Sequence, residues 1–167
     1  MAEEFLFHEC PGIGIASVMA RKGVSPEAIG ARLGITLPGG PAAVTANGYT
    51  ALGTGPGSWL VMRDEANERF AQLLRDQLEG LASVSDQSSG YAILRLSGPD
   101  ARVLLQRGAA VDFHPDSFRP GSVATTVIAH IGTIIWQVDD LPTYDIAFFR
   151  SLSGSFRHWL DQAVAAL

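Results

Sequence analysis

The sequence has few cysteines, few charged residues and no long apolar run, and each shortage excludes a class of protein. Cys10 is the single cysteine among 167 residues, so no disulfide can form within the chain and a reducing cytoplasm is expected. No segment reaches the roughly 20 apolar residues of a membrane helix. The nearest candidate, residues 123–138, is interrupted by threonine, histidine and glycine and is predicted to form two strands. Residues 3 and 4 are both glutamate, whereas a secretory signal peptide begins with positively charged residues.

Charged residues make up only 17% of the chain, and the net charge is −5 with a pI near 5.2. Nucleic acid is bound by basic surfaces, and no basic run occurs here, so this balance argues against nucleic-acid binding. Apolar residues reach 47%, which is enough to bury a sizeable core in a domain of this length. The same composition leaves open that a partner protein covers part of the apolar surface.

The residue groups that carry catalysis or bind metals are also missing. The run Gly12-Ile13-Gly14 resembles the start of a dinucleotide-binding loop, but Ser17 replaces the third glycine and the run precedes a strand. His8-Glu9-Cys10 has no ligand-like spacing with the other histidines, and no base is placed to activate the thiol. The sequence therefore predicts no catalytic residue and no metal site, and it leaves any cofactor site unassigned.

What the chain does contain is a repeated strand–helix unit. In the first half an apolar strand precedes Ser25-Pro26-Glu27-Ala28, which opens a helix that Gly34 closes. In the second half a strand at residues 91–97 leads to Pro99, and the helix that follows is expected to end at Gly108 in the left-handed conformation. The spacing of the two copies predicts a duplication with a period of roughly 75–85 residues, too long for a solenoid repeat.

Each copy continues with three strands and an amphipathic helix. The strand candidates are residues 42–46, 49–53 and 59–62 in the first copy and 123–130, 133–138 and 143–149 in the second. The turn Asn47-Gly48 predicts a type I′ hairpin, a break is expected near residues 131–132, and apolar spacing predicts a helix over residues 64–81. These elements predict an α+β protein with two largely antiparallel sheets, forming a single compact domain of residues 1–167 whose halves are about 1–81 and 82–167.

Two further strand pairings follow from turn chemistry. Residues 83–86 are predicted to form a hairpin with residues 91–97, because the glutamine, serines and glycine between them favour a turn. Residues 5–8 are predicted to form an edge strand paired with residues 13–19 across the Cys-Pro-Gly segment.

An inserted segment, residues 112–119, occurs in the second copy only. It supplies the candidate subunit interface, which consists of Phe113, His114, Pro115, Phe118 and Arg119. Aromatic and arginine side chains on a stiff backbone are typical of the energetic centre of protein interfaces. The alternative is a loop that packs back on its own sheet.

Several of these stretches together resemble one family. They are Leu94-Arg95-Leu96-Ser97-Gly98-Pro99-Asp100-Ala101, Asp112-Phe113-His114-Pro115, Phe118-Arg119-Pro120-Gly121, Trp136 and Thr143-Tyr144-Asp145. In the first copy residues 55–60 are similar to a Gly-Pro-acid-acid-Trp-Leu turn of that family, with Gly57 and Ser58 in place of the acids. On these motifs, which extend over essentially the whole chain, the sequence resembles the gamma subunit of bacterial heterotetrameric sarcosine oxidase.

The resemblance implies a fold similar to the folate-binding domains of the aminomethyltransferase of the glycine cleavage system. It implies a non-catalytic subunit whose partners are the alpha, beta and delta subunits of an enzyme that oxidises sarcosine to glycine and passes the methyl carbon to tetrahydrofolate. FAD, FMN, NAD and tetrahydrofolate would then be bound by other subunits and none by this chain. The alternative is a stand-alone folate-binding or one-carbon-metabolism protein of related fold, for which neither Asp86 nor Asp145 can be assigned the acidic residue that faces the pterin.

Overall fold

The computed structural model of the chain describes residues 6–167. Its elements in chain order are β1 (Leu6–Glu9), β2 (Gly14–Ala20), α1 (Pro26–Leu33), β3 (Ala43–Ala46), β4 (Tyr49–Gly55), β5 (Ser58–Arg63), α2 (Phe70–Gln77), β6 (Ala82–Asp86), β7 (Tyr91–Ser97), α3 (Ala101–Gly108), β8 (Val123–Ile128), β9 (Ile131–Asp139), β10 (Thr143–Phe149) and α4 (Ser153–Ala165). They form two compact units. The first unit is Gly12–Ser89, and the second unit is the segment up to Pro11 together with Gly90–Leu167. Because β6 remains in the first unit, the boundary lies at Gly90, whereas the sequence repeat places it near residue 82.

The first helix begins and ends where the sequence predicts. The Ser25 hydroxyl accepts a hydrogen bond from the Ala28 N–H at 3.2 Å, and Pro26 occupies the first helical position, where no N–H is needed. Gly34 ends the helix with φ of 68°, a left-handed conformation that a side chain would strain. A short helix with modest apolar periodicity is thus fixed at both ends by its caps.

Each unit is built on a five-stranded antiparallel sheet. The strand order is β3-β4-β5-β2-β6 in the first unit and β8-β9-β10-β7-β1 in the second. Aligning the two copies of the repeat brings the first four strands of each order into correspondence, with two helices in each unit. The α+β class with two antiparallel sheets is therefore confirmed, and the matching strand orders support the predicted duplication.

The fifth strand of each sheet comes from the segment that precedes the other copy of the repeat. β1 precedes the first copy but pairs with β7, with Phe7 opposite Leu96, and β6 precedes the second copy but pairs with β2, with Val84 opposite Val18. The two strands that lead into the repeats are thus exchanged. Both pairings predicted from turn chemistry were consequently wrong: residues 83–86 form no hairpin with residues 91–97, and residues 6–8 do not pair with residues 13–19. Phe5 lies outside the described residues.

Local hydrogen bonds explain why the segment after β6 is not a hairpin turn. The Gln87 N–H donates to the Ile15 carbonyl at 2.8 Å, and the Ser88 hydroxyl accepts the Ile15 N–H at 3.0 Å. These bonds hold the end of β6 on β2. On the other side of the segment, β7 already has β1 on one side and β10 on the other, so it has no edge left for β6.

The helices of each unit pack on one face of its sheet. In the first unit Ile29, Leu33 and Leu74 pack with Val18 and Val61, and none of the five is more than 1% exposed. The corresponding cluster in the second unit joins α3, α4 and the sheet through Leu96, Leu104, Leu105, Tyr144, Ile146, Phe156 and Leu160. Burying such side chains contributes about 1.5–3 kcal/mol each to folding, so these clusters are the main source of stability in each unit.

Three local predictions need correction. The second helix begins at Phe70 and not at residue 64, because Asn67 accepts the Arg69 N–H at 2.9 Å and Glu65 has φ of 51°, so the chain turns there. Gly108 is the last residue of α3 and is not left-handed; instead, a Cβ there would overlap Trp159 of α4. The turn between β8 and β9 is not at residues 131–132, because Ala129 and His130 have φ of 49° and 67° and form it themselves.

Among the described residues, no helix has the length and hydropathy required to cross a membrane.

Candidate functional site

The segment 112–119 is a tightly folded loop of the second unit, and its two phenylalanines point inward. Phe113 is fully buried and Phe118 is 5% exposed. Their rings meet edge to face at a centroid distance of 5.0 Å, and Tyr144 of β10 lies 5.8 Å from Phe113 and 6.2 Å from Phe118. This position does not support the prediction that the two side chains are interface anchors, because both rings are already buried within their own unit.

Backbone hydrogen bonds fix the shape of this loop. The Asp112 carboxylate accepts the His114 N–H at 2.9 Å, and the His114 carbonyl accepts the N–H groups of Ser117 and Phe118, both at 2.8 Å. The pKa of the Asp112 carboxyl lies below its ordinary value, first because of the His114 N–H and then because of the Ser117 side chain. The Arg119 guanidinium donates to the Asp116 carbonyl at 3.0 Å. The loop is therefore held by its own polar groups and by the buried phenylalanines.

The other three candidate interface residues are on the outer side of the loop. His114, Pro115 and Arg119 are all exposed, and the His114 side chain keeps 63% of its accessible surface. Their backbone is already fixed by the hydrogen bonds of the loop, so a partner that covers them has to order the side chains only. The arrangement can present an interface, with the phenylalanines acting as its support and not as its contact surface.

A second polar group lies on the sheet of the same unit. Arg95 of β7 and Asp145 of β10 are opposite each other in the register, and the guanidinium donates to both carboxylate oxygens at 2.7 Å. Asp145 is 6% exposed, so this two-bonded geometry is what makes its burial tolerable. The sequence patterns described above do not predict this pair. The signal that could have indicated it is a basic residue in one predicted strand and an acidic residue in another, because such residues stabilise each other when the two strands are neighbours.

The two carboxylates considered for a pterin site are both engaged in local structure. The Asp86 carboxylate accepts the Ser88 N–H at 2.9 Å and so caps the turn after β6, while Asp145 is bonded by Arg95. In the first unit a shallow depression of about 340 Å³ lies beside α1, lined by Glu27, Gly30, Ala31, Gly34, Ile35, Thr36 and Leu37. It is mostly apolar and holds no group of convergent polar side chains. Nowhere in residues 6–167 do three or more histidine, cysteine, aspartate or glutamate side chains come together in a way that could hold a metal ion.

Comparison with models of protein families shows which family the chain belongs to. Residues 20–166 match the model of the sarcosine oxidase, gamma subunit family. The chain belongs to this family. The sarcosine oxidase subunit gamma of Corynebacterium sp. (strain P-1) is 28% identical over 153 residues, which cover 92% of this chain and 75% of that protein. The subunit gamma of an Arthrobacter species is 28% identical over 156 residues, which cover 91% of this chain and 74% of the relative.

Two solved structures are similar in fold to this chain. A chain of the heterotetrameric sarcosine oxidase from Corynebacterium sp. U-96, solved in complex with pyrrole 2-carboxylate, is similar with a TM-score of 0.86 and 26% identity, over 97% of this chain and 84% of that one. The glycine cleavage system aminomethyltransferase T from Bartonella henselae has a TM-score of 0.69 at 12% identity, over 95% of this chain and 45% of that one. The second likeness shows the fold alone. The family and the aminomethyltransferase-like fold predicted from sequence motifs are both confirmed.

Proposed function

We propose that this chain is the non-catalytic gamma subunit of a heterotetrameric sarcosine oxidase. In that complex sarcosine is oxidatively demethylated to glycine and the one-carbon unit passes to tetrahydrofolate. The observation that carries the proposal is the likeness, over nearly the whole chain, to a chain of a solved heterotetrameric sarcosine oxidase. In this proposal the partners are the alpha, beta and delta subunits of a cytoplasmic enzyme, and they bind FAD, FMN, NAD and tetrahydrofolate.

The state of the ionisable side chains supports an accessory role. A general base or acid has to reach the reacting group, and Asp145 and Asp86 are instead bonded to Arg95 and to the Ser88 N–H.

The loop at residues 112–119 is held by backbone hydrogen bonds and buried rings, as suits a contact surface. We therefore propose that the outward side chains of His114, Pro115 and Arg119 contact another subunit.

A stand-alone folate-binding protein fits these residues less well. Recognition of a pterin needs a carboxylate that is available to the ring, whereas the carboxylates of Asp86 and Asp145 already serve a turn and an ion pair. The depression beside α1 offers Glu27 at its rim but no convergent donors for the rest of a folate. No observation among residues 6–167 favours this second candidate.

Co-expression tests the proposed function. This chain carries an affinity tag and is expressed with the alpha, beta and delta subunits of its native host. We expect all of them to co-purify in a fixed ratio and the complex to oxidise sarcosine. The isolated chain, supplied with flavin, should produce no sarcosine-dependent peroxide. Peroxide formation by the chain alone, or purification of the chain without any other subunit, would contradict the proposal.

A further inference from the structure

The strand β8 forms an edge of the second unit's sheet and pairs with β9 on one side only. Ile128 lies opposite Ile131 across the two-residue turn at Ala129 and His130, both of which have positive φ. In such a hairpin the residues next to the turn form a hydrogen-bonded pair, and bonded and non-bonded pairs alternate from there. The register therefore fixes which backbone groups of β8 point toward β9 and which point away from it.

Every second residue of β8 turns its backbone groups outward. Thr126 opposite Thr133 and Ala124 opposite Ile135 are hydrogen-bonded pairs, so Thr125 and Val127 direct their N–H and C=O groups away from the sheet. The bond from the Gln137 N–H to the Ser122 carbonyl, at 3.2 Å, continues the same alternation. Within residues 6–167 no hydrogen bond satisfies the outward groups of Thr125 or Val127, and Val127 as a residue is 55% exposed.

The other three edge strands are protected and β8 is not. In the described part of the chain β1 and β3 have four residues each, and β1 ends in Glu9, which forms an ion pair with Arg150 at 3.2 Å. On β6 the Arg75 guanidinium covers the Val84 carbonyl at 3.1 Å. β8 has six residues, five of them β-branched, with no charge and no proline. Charges, brevity and capping are the usual devices that stop an edge from pairing with another chain, so β8 is the edge open to a further strand.

We propose that β8 receives an extended segment of another subunit of the sarcosine oxidase complex, which adds a sixth strand to this sheet. The inference rests on the proposed function. An added strand satisfies the outward N–H and C=O groups of Thr125 and Val127, which a helix or a flat side-chain surface cannot do. Because β8 carries no charge, the complementary segment is uncharged where it faces the strand.

A second copy of this chain is a poorer occupant of the edge. Two six-residue strands that pair about a two-fold axis bury far less than the roughly 1,200 Å² that a stable specific interface requires. The loop at residues 112–119 lies directly before β8 in the chain, and the Arg119 N–H donates to the Ser122 hydroxyl at 3.0 Å. A partner subunit that already contacts this loop can reach β8 without a separate binding event.

Amide hydrogen exchange in the free chain and in the assembled complex tests the inference. We expect the Thr125 and Val127 amides to exchange quickly in the free chain and at least about tenfold more slowly in the complex. The amides of Thr126 and Ala124, which face β9, serve as internal controls and should be protected in both states. Thr125 and Val127 amides that exchange equally fast in both states would overturn the inference, even though assembly itself would still support the proposed function.

Substitutions provide a second measurement. Thr125→Pro removes an outward N–H, which an edge strand tolerates, whereas Thr126→Pro removes an N–H that bonds Thr133 and should unfold the hairpin. Val127→Lys places a charge on the same edge, and Thr45→Lys on the edge strand β3 is its matched control. We expect Thr125→Pro and Val127→Lys to keep the melting temperature of the chain and to lower its affinity for the other subunits by about tenfold or more. Unchanged affinity in both variants would overturn the inference.

Two further outcomes distinguish a failure of the proposed function from a failure of this inference alone. If the chain fails to assemble with any sarcosine oxidase subunit, the proposed function fails and the inference fails with it. If the Thr125 and Val127 amides become protected in the free chain as its concentration rises, the occupant is a second copy, and the proposal of another subunit is overturned.

Discussion

At the scale of single residues, Phe113 is the side chain whose position determines what the inserted loop does. Its ring is fully buried against Phe118 and Tyr144. Phe113→Ala should therefore lower the stability of the isolated chain by about 3–5 kcal/mol, through lost burial and the cavity left behind. A thermal melt of the purified chain measures this loss.

Arg119→Ala is the matched control in the same loop. Arg119 is exposed, and among residues 6–167 its side chain bonds only the Asp116 carbonyl, so the free energy of unfolding should change by no more than about 0.5 kcal/mol. The same variant should weaken co-purification with the other subunits if the outer side of the loop is a contact. A melt that is unaffected by Phe113→Ala would contradict the buried position of the ring.

Tyr144 offers a substitution that should not destabilise the protein. Its side chain is fully buried, and within residues 6–167 its hydroxyl has no hydrogen-bond partner. Leaving a buried hydroxyl unpaired costs about 1–3 kcal/mol, so Tyr144→Phe, which keeps the ring, should leave stability unchanged or raise it by up to about 1 kcal/mol. Chemical denaturation of both proteins tests this, and a loss larger than about 1 kcal/mol would show that the hydroxyl is bonded after all.

At the scale of elements, the contact between α3 and α4 depends on the absence of a side chain at Gly108. A Cβ at this position would overlap the Trp159 ring, and Ile128 lies close on the other side. Gly108→Ala should therefore destabilise the chain by about 1–3 kcal/mol, the usual cost of overpacking. Gly154→Ala in α4 meets open space and should instead stabilise the helix by up to about 1 kcal/mol. Equal melting temperatures for the two variants would exclude the close approach.

Sequence patterns predicted elements well where the signal is local. The caps of α1 at Ser25 and Gly34 and the hairpin at Asn47-Gly48 follow from side-chain chemistry and positive φ alone, and both are confirmed. The sequence does not show whether Gly108 is needed for a left-handed φ or for close packing, since glycine serves both, and only the position of Trp159 distinguishes the two. The sequence likewise does not show whether Phe113 and Phe118 face a partner or the core, since aromatic side chains are typical of interfaces and of cores alike.

At the scale of the whole molecule, the pairing of distant strands is what the sequence could not show. Turn chemistry at residues 87–90 and 10–12 predicts local hairpins, but β6 and β1 gain more by completing the sheets of the opposite copies. Each added strand covers an edge that would otherwise expose unpaired backbone groups. Such long-range choices depend on the whole set of available edges, which is visible only after the sheets are assembled.

The exchange of these strands predicts which part of the molecule depends on the first nine residues. Deleting residues 2–9 removes β1, whose four residues pair with β7, and breaks the ion pair between Glu9 and Arg150. Amide protection should therefore fall in β7, in the second unit, by at least about tenfold, while protection in β2 of the first unit stays unchanged.

A peptide of residues 1–11 added to the truncated chain provides the control for this deletion. It should rebind to the exposed edge of β7 and restore both amide protection and the melting temperature, because the backbone bonds of the strand need no covalent connection to form. A scrambled peptide of the same composition should have no effect. If the deletion instead exposes β2 and leaves β7 protected, the local pairing of residues 5–8 with residues 13–19 is the correct one and the exchanged topology is wrong. The two outcomes place the loss in different units, so one exchange experiment distinguishes them.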